Sequence, residues 1–420
     1  MENVFIKRNI ICIDLKSFFA SCECIERGLD PFSFPLIVAN PNQKGGAITL
    51  AVTPFLKKQG VPSRGRVFEI PKNIKYTIVP PRMNLYIQKS KQVVDIYLDY
   101  VAPEDLHIYS IDECFLDLTH YLKLYNKTDY EIAKDILNNV KEKTGLTATC
   151  GIGPNMLLAK VAMDIEAKHN TDCIAKWTYD DVPNKLWKIS PLSEMWGIGK
   201  RMEKNLNNLG IYSIEDLANI SRDYLKSKFG VMGSELWNHA NGIDLSVISD
   251  FNQKTKDKSY SHSQILFKDY NENNIKIIIE EMVDVLTARL RHNNKQCLNV
   301  GFGIGYSKNV GGGFYHSIKL EAPTDDSYEI IKYCNIIFDR YYEMLPIRKV
   351  TICCGNIVTK EGVQLNIFDS YEEIKENEEI NKAIDTIKNK YGKNSLLKAS
   401  ALLDDSTAIE RNKKVGGHNA

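Results

Sequence analysis

Apolar and polar residues along the first half of the chain follow two different periods. Residues 9–13 and 147–152 are short runs rich in apolar and β-branched side chains, which is typical of strands. Residues 86–97 and 129–144 instead repeat apolar side chains every three or four positions, which predicts amphipathic helices. Gly145 directly follows the second predicted helix, a common place for glycine at a helix end. Strands that alternate with two helices favour an α+β sheet of the split βαβ kind.

The rest of the chain changes character several times. Residues 26–80 are rich in the turn formers Gly, Pro, Asn and Asp, with only short strand-like runs between them. Residues 189–250 are helical in pattern, and residues 251–263 are polar and contain several lysines, which predicts a linker. Two further helices, near 273–292 and 327–345, have strand-like runs between them and predict another globular unit.

Composition excludes several classes of protein. An apolar fraction of 43% with 25% charged residues is ordinary for a globular chain, and 420 residues favour two to four domains. No run approaches the roughly 18 apolar residues of a membrane span, and the first eight residues lack the order of a signal peptide. The ten cysteines have no paired metal-ligand spacing, and those in apolar segments, Cys22, Cys24, Cys353 and Cys354, are expected to be buried thiols in a reducing cytoplasm. Because the net charge is only +1, nucleic-acid binding would require acidic and basic residues on different faces.

Two adjacent carboxylates, Asp112 and Glu113, interrupt the apolar and aromatic stretch 109–118. The flanking runs predict two strands that meet at a tight turn. Most Asp-Glu pairs are solvated loop residues, and that remains the simplest interpretation of the pair taken alone. Burying two like charges side by side is costly unless a cation neutralises them, and Mg²⁺ is a cation that such hard oxygen ligands favour. The turn is therefore a candidate metal site.

A third carboxylate, Asp14, stands at the carboxyl end of the predicted strand that leads into a helix. Functional residues collect at this end of strands in α/β layers. Asp14, Asp112 and Glu113 together could hold two divalent metal ions. Such a pair stabilises both the attacking and the leaving oxygen of an in-line phosphoryl transfer.

Two segments together resemble the Y-family translesion DNA polymerases, in particular the UmuC/ImpB branch as found in Gram-positive bacteria. The first contains Asp14 and the Phe-Phe-Ala-Ser-Cys-Glu run at 18–23, and the second is the Tyr-Ser-Ile-Asp-Glu run at 109–113. The likeness covers roughly residues 5–370. It implies a template-directed DNA polymerase that adds deoxynucleotides to a primer 3′-hydroxyl in DNA damage tolerance and the SOS response.

The resemblance also implies a fold, that of a right-hand polymerase of the α+β multidomain class. Its parts would be a split-βαβ palm, small fingers, a helical thumb with a helix-hairpin-helix, and an α+β little finger. The predicted boundaries are palm 1–25 and 81–188, fingers 26–80, thumb 189–250, linker 251–263, little finger 264–358 and C-terminal tail 359–420.

For the metal and sugar sites the resemblance assigns individual residues. Two Mg²⁺ would be held by Asp14, Leu15, Asp112 and Glu113. Phe19, five residues after Asp14, would be the steric gate that excludes the ribose 2′-hydroxyl, with Phe18 beside it at the nucleotide. At least one of the two phenylalanines is expected to belong to the core.

Two lysines, Lys57 and Lys160, would contact the nucleotide triphosphate. The family often has Tyr and Arg where this chain has Pro54 and Lys57, and usually Lys where it has Met156. The contact at Pro54 is therefore absent or replaced, and Lys57 offers a point charge without the planar fork of arginine. A solvated lysine is the alternative interpretation at both positions.

A glycine turn, Gly197 to Gly199, resembles the helix-hairpin-helix of the family's thumb. The two glycines would let backbone N–H groups grip DNA phosphate at a helix start, and Lys200 and Arg201 would add positive charge. An ordinary glycine connection between helices is the alternative.

Three glycines at period two, Gly301, Gly303 and Gly305, could be mistaken for a dinucleotide motif, but they lack the helix that such a site needs. Glycines at this spacing lie on one face of a strand. We therefore expect a face of bare backbone that a DNA strand can approach closely.

The tail contains a Gln-Leu-x-Ile-Phe motif after the last strand-like run, 350–358. It resembles the peptide by which bacterial polymerases bind the sliding clamp, through Gln364, Leu365, Ile367 and Phe368. The alternative is that this apolar island docks on the little finger. An acidic helix from 371 to about 390 and a loose terminus are expected to follow, and the sequence leaves room for an accessory subunit.

Two other classes of protein stay open at this stage. A nucleotide cyclase could use a similar palm, but the thumb-like turn and the clamp-like tail argue against it. A catalytically silent DNA-binding factor would have no need of three costly carboxylates. Primer-template DNA and a deoxynucleoside triphosphate are thus the expected partners, with no membrane.

Overall fold

The computed structural model describes residues 7–41, 46–251, 259–361 and 371–419, apart from the side chains of 371–374 and 419. These residues form two units. The first comprises residues up to 254 together with 418–420, and the second comprises 255–417. Within the described ranges no helix combines the length and the apolarity that crossing a membrane demands.

The first unit is built from short strands and helices that alternate along the chain. Its strands are β1 (Ile10–Leu15), β2 (Leu36–Val38), β3 (Ile48–Thr49), β4 (Ala51–Val52), β5 (Gly65–Arg66), β6 (Thr77–Val79), β7 (Leu106–Ile108), β8 (Glu113–Asp117), β9 (Ala148–Gly153) and β10 (Ile174–Lys176). Its helices are α1 (Phe18–Ile25), α2 (Pro54–Lys58), α3 (Met83–Leu98), α4 (Tyr121–Tyr125), α5 (Asp129–Thr144), α6 (Met156–Ala162), α7 (Lys200–Asn207), α8 (Ile214–Asn219), α9 (Arg222–Phe229), α10 (Val231–Ala240) and α11 (Ile248–Phe251).

The central sheet of this unit has the strand order β10-β9-β1-β8-β7. Strand β1 lies in the middle, antiparallel to β8 and β9, and its residues Ile10 to Ile13 are fully buried. Helices α3 and α5 contribute to the core on one face, and α6 packs on the other. The predicted helix 129–144 is confirmed, since Thr128 caps its start and Gly145, with a φ of 74°, ends it.

Two glycines in β9 let α6 approach the sheet more closely than a side chain would allow. A Cβ on Gly151 would lie 2.0 Å from the carbonyl oxygen of Ala159, and a Cβ on Gly153 would lie 2.4 Å from the Ala159 amide nitrogen. This close contact fixes the position of Lys160, which follows Ala159 in α6. Helix α6 is continued by a turn of π-helix over Met163–Ala167.

Residues between α1 and α3 build a small separate core. Strand β2 pairs antiparallel with β4 and parallel with β6, and β3 pairs with β5. The helices from α7 to α10 surround another core, which confirms the helical pattern of 189–250.

The second unit is a four-stranded antiparallel sheet with helices on one face. Its strands are β11 (Ser259–Tyr270), β12 (Lys295–Tyr306), β13 (Gly313–Thr324), β14 (Ile347–Thr359) and the short β15 (Lys414–Val415), and its helices are α12 (Ile275–His292), α13 (Ser327–Tyr341), α14 (Tyr371–Tyr391) and α15 (Ala408–Asn412). The sheet order is β11-β14-β12-β13, and α12 and α13 share its core. A last short strand, β16 (His418–Asn419), ends the described chain.

The predicted linker 251–263 was too long. Strand β11 already begins at Ser259, and Phe251 still belongs to α11. The alternating serines at 259, 261 and 263 are the solvent-facing half of a period-two strand, and their polarity made this strand resemble a linker. Residues 252–258 lie outside the described ranges, and the finer division into four domains stays a prediction.

The expected loose terminus after α14 is a folded part of the second unit. The buried carboxylate of Glu281, on α12, accepts hydrogen bonds from the backbone N–H and hydroxyl of Thr407 at 3.2 and 2.9 Å, and from Arg411 at 3.4 Å. Arg291 on α12 holds Asp385 on α14 with two bonds, of 2.7 and 3.1 Å. The predicted tail thus packs against helix α12 through polar side chains. The partners of these side chains lie far away in the sequence, so the sequence alone did not predict the contacts.

Candidate active site

The fold brings the three predicted carboxylates to one end of the central sheet. Asp14 in β1 and Glu113 in β8 are direct cross-strand partners. Asp112 precedes β8, and its carbonyl oxygen accepts a hydrogen bond of 2.9 Å from the Leu15 N–H. The turn between β7 and β8 closes where the N–H groups of Tyr109 and Ser110 both donate to the Glu113 carbonyl oxygen, at 3.0 Å each. The prediction of two strands meeting at a tight acidic turn is therefore confirmed.

The side chains of these acids nevertheless point to different partners. The Ser110 hydroxyl donates to Asp112 Oδ1 at 2.7 Å. Glu113 is buried and accepts from Cys12 Sγ at 3.2 Å and from Lys160 Nζ at 2.9 Å. Among the residues that the structure describes, no three His, Cys, Asp or Glu side chains converge closely enough to hold a metal ion.

Lysines occupy the space between the acids. Lys160 also pairs with Asp164 at 3.0 Å, and Lys168 pairs with Asp164 at 2.7 Å and with Asp14 at 3.7 Å. Burial alone would lower the pKa of Lys160, but the charges around it, including those of Asp164 and Glu113, raise this pKa above its usual value. Both lysines are therefore cations that neutralise the acidic cluster.

Asp14 has a cation partner only at long range, Lys168 at 3.7 Å. Burial raises the pKa of Asp14 to about 6; Lys168 opposes this shift, and Asp112 and Glu113 add to it. A carboxylate that is ionised at neutral pH in such surroundings favours the approach of a cation. The donor set suits a hard divalent ion, since it consists of carboxylate oxygens. Leu15 has a buried side chain and could offer only its backbone carbonyl oxygen.

The structure separates the roles of the two phenylalanines that follow. Phe18 is buried in the core, whereas Phe19 is only half-buried. The Phe19 ring stacks on Tyr86, with ring centroids 4.3 Å apart and planes 14° from parallel. Of the two, Phe19 alone has a partly accessible ring, and its role as the steric gate stays a prediction.

A buried glutamate holds this aromatic pair in place. Glu23 accepts a bond of 2.7 Å from the Tyr86 hydroxyl and another of 2.7 Å from Arg82, and it also pairs with Arg27. Burial alone would raise the pKa of Glu23, but these three donors hold it below its usual value. The glutamate in the Phe-Phe-Ala-Ser-Cys-Glu run thus anchors α1 to α3.

Lys57 projects from α2, which starts at Pro54. Its side chain is exposed, yet enough protein surrounds it that burial lowers its pKa, while Asp14 and Asp112 act in the opposite direction. Lys57 is therefore within electrostatic range of the acidic turn.

The glycine turn before α7 has the backbone geometry expected of a phosphate-binding turn at a helix N-terminus. Gly197 adopts a φ of 92°, and Gly199 is the N-terminal cap of α7. A Cβ on Gly199 would meet nothing within 4 Å, so its backbone is open to a ligand. Lys200 and Arg201 are both exposed beside it.

Sequence reasoning missed several residues of the site. Asp164 and Lys168 follow Lys160 at intervals of four, a spacing that places them on one helical face and could have identified them. Cys12 lies two residues before Asp14 on the same face of β1. Its thiol has a pKa raised by burial and by Glu113, so it contacts the acidic cluster as a neutral donor.

The prediction of a bare glycine face on β12 was wrong. Tyr315 from the neighbouring strand β13 lies over Gly301 and Gly303. Of the four cysteines predicted to be buried thiols, Cys22, Cys24 and Cys354 are buried and Cys353 is half-buried, and none of them forms a disulfide. The clamp-like motif, Gln364 to Phe368, lies outside the described residues.

Comparison with known proteins identifies the family. The chain matches the impB/mucB/samB family over residues 13–164, the C-terminal domain of that family over 257–367, and the helix-hairpin-helix motif of the IMS family over 179–211. It is 39% identical to the "Putative UV-damage repair protein UvrX" of Bacillus subtilis, over 99% of both chains. It is also 32% identical to "DNA polymerase IV 2" of Bacillus subtilis, over 97% of this chain and 98% of the other.

The fold agrees with a solved structure. A Y-family DNA polymerase chimera, Dbh-Dpo4(243-245)-Dbh, superposes with a TM-score of 0.66 at 20% identity, and the match covers 84% of this chain and 99% of the chimera. This likeness confirms the predicted α+β polymerase fold with its helix-hairpin-helix and little finger. The chain therefore belongs to the impB/mucB/samB family, that of the Y-family translesion DNA polymerases.

Proposed function

We propose that this protein is a DNA-directed DNA polymerase of the translesion type, which extends a primer 3′-hydroxyl opposite damaged template. The observation that carries the proposal is the pairing of Asp14 with Glu113 across β1 and β8, with Asp112 in the adjoining turn. Three acids at the end of a buried sheet, with exposed lysine charge nearby, suit metal-dependent nucleotidyl transfer.

Family membership implies dependence on a divalent metal, and we propose that two Mg²⁺ are used. Asp14, Asp112, Glu113 and the Leu15 carbonyl oxygen would hold them. When bound, the ions would lower the pKa of the primer hydroxyl and neutralise charge on the triphosphate. For Glu113 to serve, its carboxylate must exchange Lys160 for a metal ion, and Lys160 is then free to bind a phosphate oxygen.

The remaining residues position the substrates. Lys57 would approach the triphosphate from α2, and the stacked ring of Phe19 would exclude a 2′-hydroxyl. The backbone at Gly197 and Gly199, with Lys200 and Arg201, would hold DNA phosphates without reading bases. The Gln364–Phe368 motif would bind a sliding clamp and raise the effective concentration of the polymerase at the primer end. We place this activity in the cytoplasm, and an accessory subunit is compatible with it.

Primer extension on undamaged and abasic templates tests this function directly. The purified chain with Mg²⁺ and deoxynucleoside triphosphates is expected to extend both primers, and a chelator should stop the reaction. An Asp112→Asn variant serves as the inactive control. Failure of the wild-type chain to extend either primer, with and without a loaded clamp, would contradict the proposal.

A further inference from the structure

Helix α14 packs on the second unit through charged side chains. Glu378 pairs with Lys360 at 2.6 Å, and Asp385 accepts two hydrogen bonds from Arg291 on α12, of 2.7 and 3.1 Å. Among the side chains that the structure describes on α14, none belongs to the apolar core that α12 and α13 share. A cavity of about 1410 Å³, lined in part by both helices, remains between α12 and α14. The helix is therefore held by polar contacts along an open groove.

The apolar residues of α14 lie on the opposite side of the helix. Ile380 and Ile387 each come two residues after one of the acids that dock the helix, which is about 200° around an α-helix. Ile380 is 49% exposed, whereas the side chain of Asp385 is only 20% exposed. An amphipathic surface helix normally buries its apolar side and exposes its charges. In α14 this order is reversed, which leaves the apolar side available to a partner.

The apolar stripe of α14 consists of Ile380, Ile384, Ile387 and Tyr391 and has the spacing of a coiled-coil seam. These residues follow one another at intervals of four, three and four positions, as the a and d positions of a heptad repeat do. Ile384 is half-buried, and Tyr391 at the end of the stripe is 66% exposed. A seam of this kind fits another α-helix with the same spacing.

The charges along α14 indicate which helix that is. Residues 375–379 include three glutamates and one lysine, whereas Lys388 and Lys390 lie in the last turn. Glu376 and Lys390 are two heptads apart, so they border the same edge of the apolar stripe. When two copies of α14 run antiparallel, Glu376 of one copy lies opposite Lys390 of the other, and two-fold symmetry makes this contact twice. A parallel pair would instead bring the acidic ends of both copies together.

We propose that α14 is the surface through which two copies of this chain associate, as an antiparallel helix pair around Ile380, Ile384 and Ile387. The proposal goes beyond the polymerase activity and does not depend on it. A few helical turns bury less area than a permanent interface, so the association is weak, with a Kd on the order of 10–100 µM. Two copies therefore pair where their local concentration is high, as it is when both are held on one DNA molecule.

Sedimentation equilibrium of the full-length protein tests the interface. As its concentration rises through this range, the wild-type protein should shift from the mass of one chain toward the mass of two. Ile387→Asp should stay monomeric, because it places a charge in the apolar seam. Met344→Asp is the matched control, since Met344 is 84% exposed and lies outside α14, and this variant should associate as the wild type does. Thermal melts establish that each variant is folded.

Charge reversal tests the antiparallel arrangement independently. Glu376→Lys and Lys390→Glu each place like charges opposite one another at both symmetric contacts, so each variant alone should weaken association about tenfold at low salt. The double variant exchanges the two signs and should associate nearly as tightly as the wild type. Both side chains are exposed, so neither substitution removes a contact that docks α14 on α12.

Three results would overturn the proposal. A wild-type chain that stays monomeric well above this concentration range would exclude a second copy as the partner of the apolar stripe. Association of Ile387→Asp as tight as that of the wild type would assign the interface to another surface. A double charge variant that associates no better than the single variants would exclude the antiparallel pair. Each of these results leaves the polymerase proposal intact, since primer extension tests that activity separately.

Discussion

Lys160 and Glu113 form an ion pair of 2.9 Å inside the active site, and each side chain is only 9% exposed. The lysine belongs to α6 and the glutamate is the first residue of β8, so the pair connects this helix to the central sheet. Lys160, which is expected to bind the triphosphate, thus forms an ion pair with Glu113, which is expected to bind metal. In the free protein each neutralises the other.

Replacing Lys160 with Met should destabilise the protein by about 3 kcal/mol, because it leaves the buried Glu113 carboxylate without its cation. Chemical denaturation in a chelator measures this loss, and added Mg²⁺ should restore part of it. The variant should also raise the KM for nucleotide. Lys168→Met is the matched control, since that side chain is 40% exposed and its loss should cost less. Equal stability of the wild type and Lys160→Met would show that the pair is unimportant in solution.

Asp112→Asn, and separately Asp14→Asn, should abolish primer extension while primer-template affinity stays within a few-fold of wild type. The amide keeps the shape of the carboxylate but removes the charge that attracts a divalent ion. Single-turnover extension and anisotropy measure the two properties. Asp95→Asn, at an exposed position on α3, is the control and should be fully active. Substantial extension by either active-site variant would remove that residue from the metal site.

The stability of the metal-free protein should depend on pH through Asp14. Its folded-state pKa is raised from 3.8 to about 6. Protonated Asp14 therefore favours the folded state below about pH 4, and this contribution is lost as the pH rises through 6. Asp14→Asn should thus gain stability relative to wild type between pH 4 and pH 7, by at most about 3 kcal/mol.

Denaturant melts in a chelator across this pH range measure the free energy of unfolding of Asp14→Asn and of the wild type. Added Mg²⁺ should reduce the difference between the two proteins at neutral pH. Asp216→Asn is the control with the opposite sign. Hydrogen bonds from the Tyr212 N–H and from Ser213 lower the pKa of Asp216, so the stabilisation by this carboxylate is complete above about pH 4, and Asp216→Asn should show a nearly constant deficit between pH 4 and pH 7. If the difference in the free energy of unfolding between Asp14→Asn and the wild type does not change with pH, folding does not raise the pKa of Asp14.

Phe19→Ala should raise ribonucleotide incorporation, since it removes the half-buried ring that stacks on Tyr86 and that is expected to exclude the 2′-hydroxyl. The readout is the ratio of kcat/KM for ribonucleotides and deoxynucleotides. Phe18→Ala is the contrasting variant, expected to lose about 3–5 kcal/mol of stability because Phe18 is a core residue. If Phe19→Ala stays folded and keeps its sugar discrimination, the steric gate lies elsewhere.

Replacing Leu365 and Phe368 by Ala should leave primer extension without clamp nearly intact and remove stimulation by a loaded sliding clamp. The reason is that a short apolar motif binds through a few anchoring side chains. Extension with and without clamp, together with a thermal melt, measures both effects. If stimulation by the clamp is unchanged and thermal stability is lost, the Gln364–Phe368 motif is a structural anchor.

The sequence predicted the acidic site well where local patterns determine the structure. A buried strand ending at Asp14 and a turn at Asp112 place both acids at one sheet end, because strand period and turn chemistry are local properties. The inward direction of Glu113 was not predictable. Its partner Lys160 is 47 residues away in the chain, and their meeting depends on how closely α6 packs on β9.

The same limit explains the error at the glycine face. The period of Gly301, Gly303 and Gly305 correctly predicted one face of β12. Which residue of a neighbouring strand covers that face depends on the register with β13, and register is a property of two strands together. The serines of β11 were misread for a related reason, since an edge strand with one polar face differs little in sequence from a linker.

Glu281 determines how the C-terminal region can be dissected. Its buried carboxylate is satisfied largely by Thr407 and Arg411, which come after the clamp-like motif in the chain. A truncation at residue 361 would remove the motif and would also strip these donors from a charge that sits inside the little finger. A chain truncated in this way would lose the clamp-like motif and the stability of the little finger together, so one measurement could not separate the two effects. Point substitutions within the motif separate the loss of clamp binding from the loss of stability. Chimeras between relatives should exchange residues 255–417 as one block.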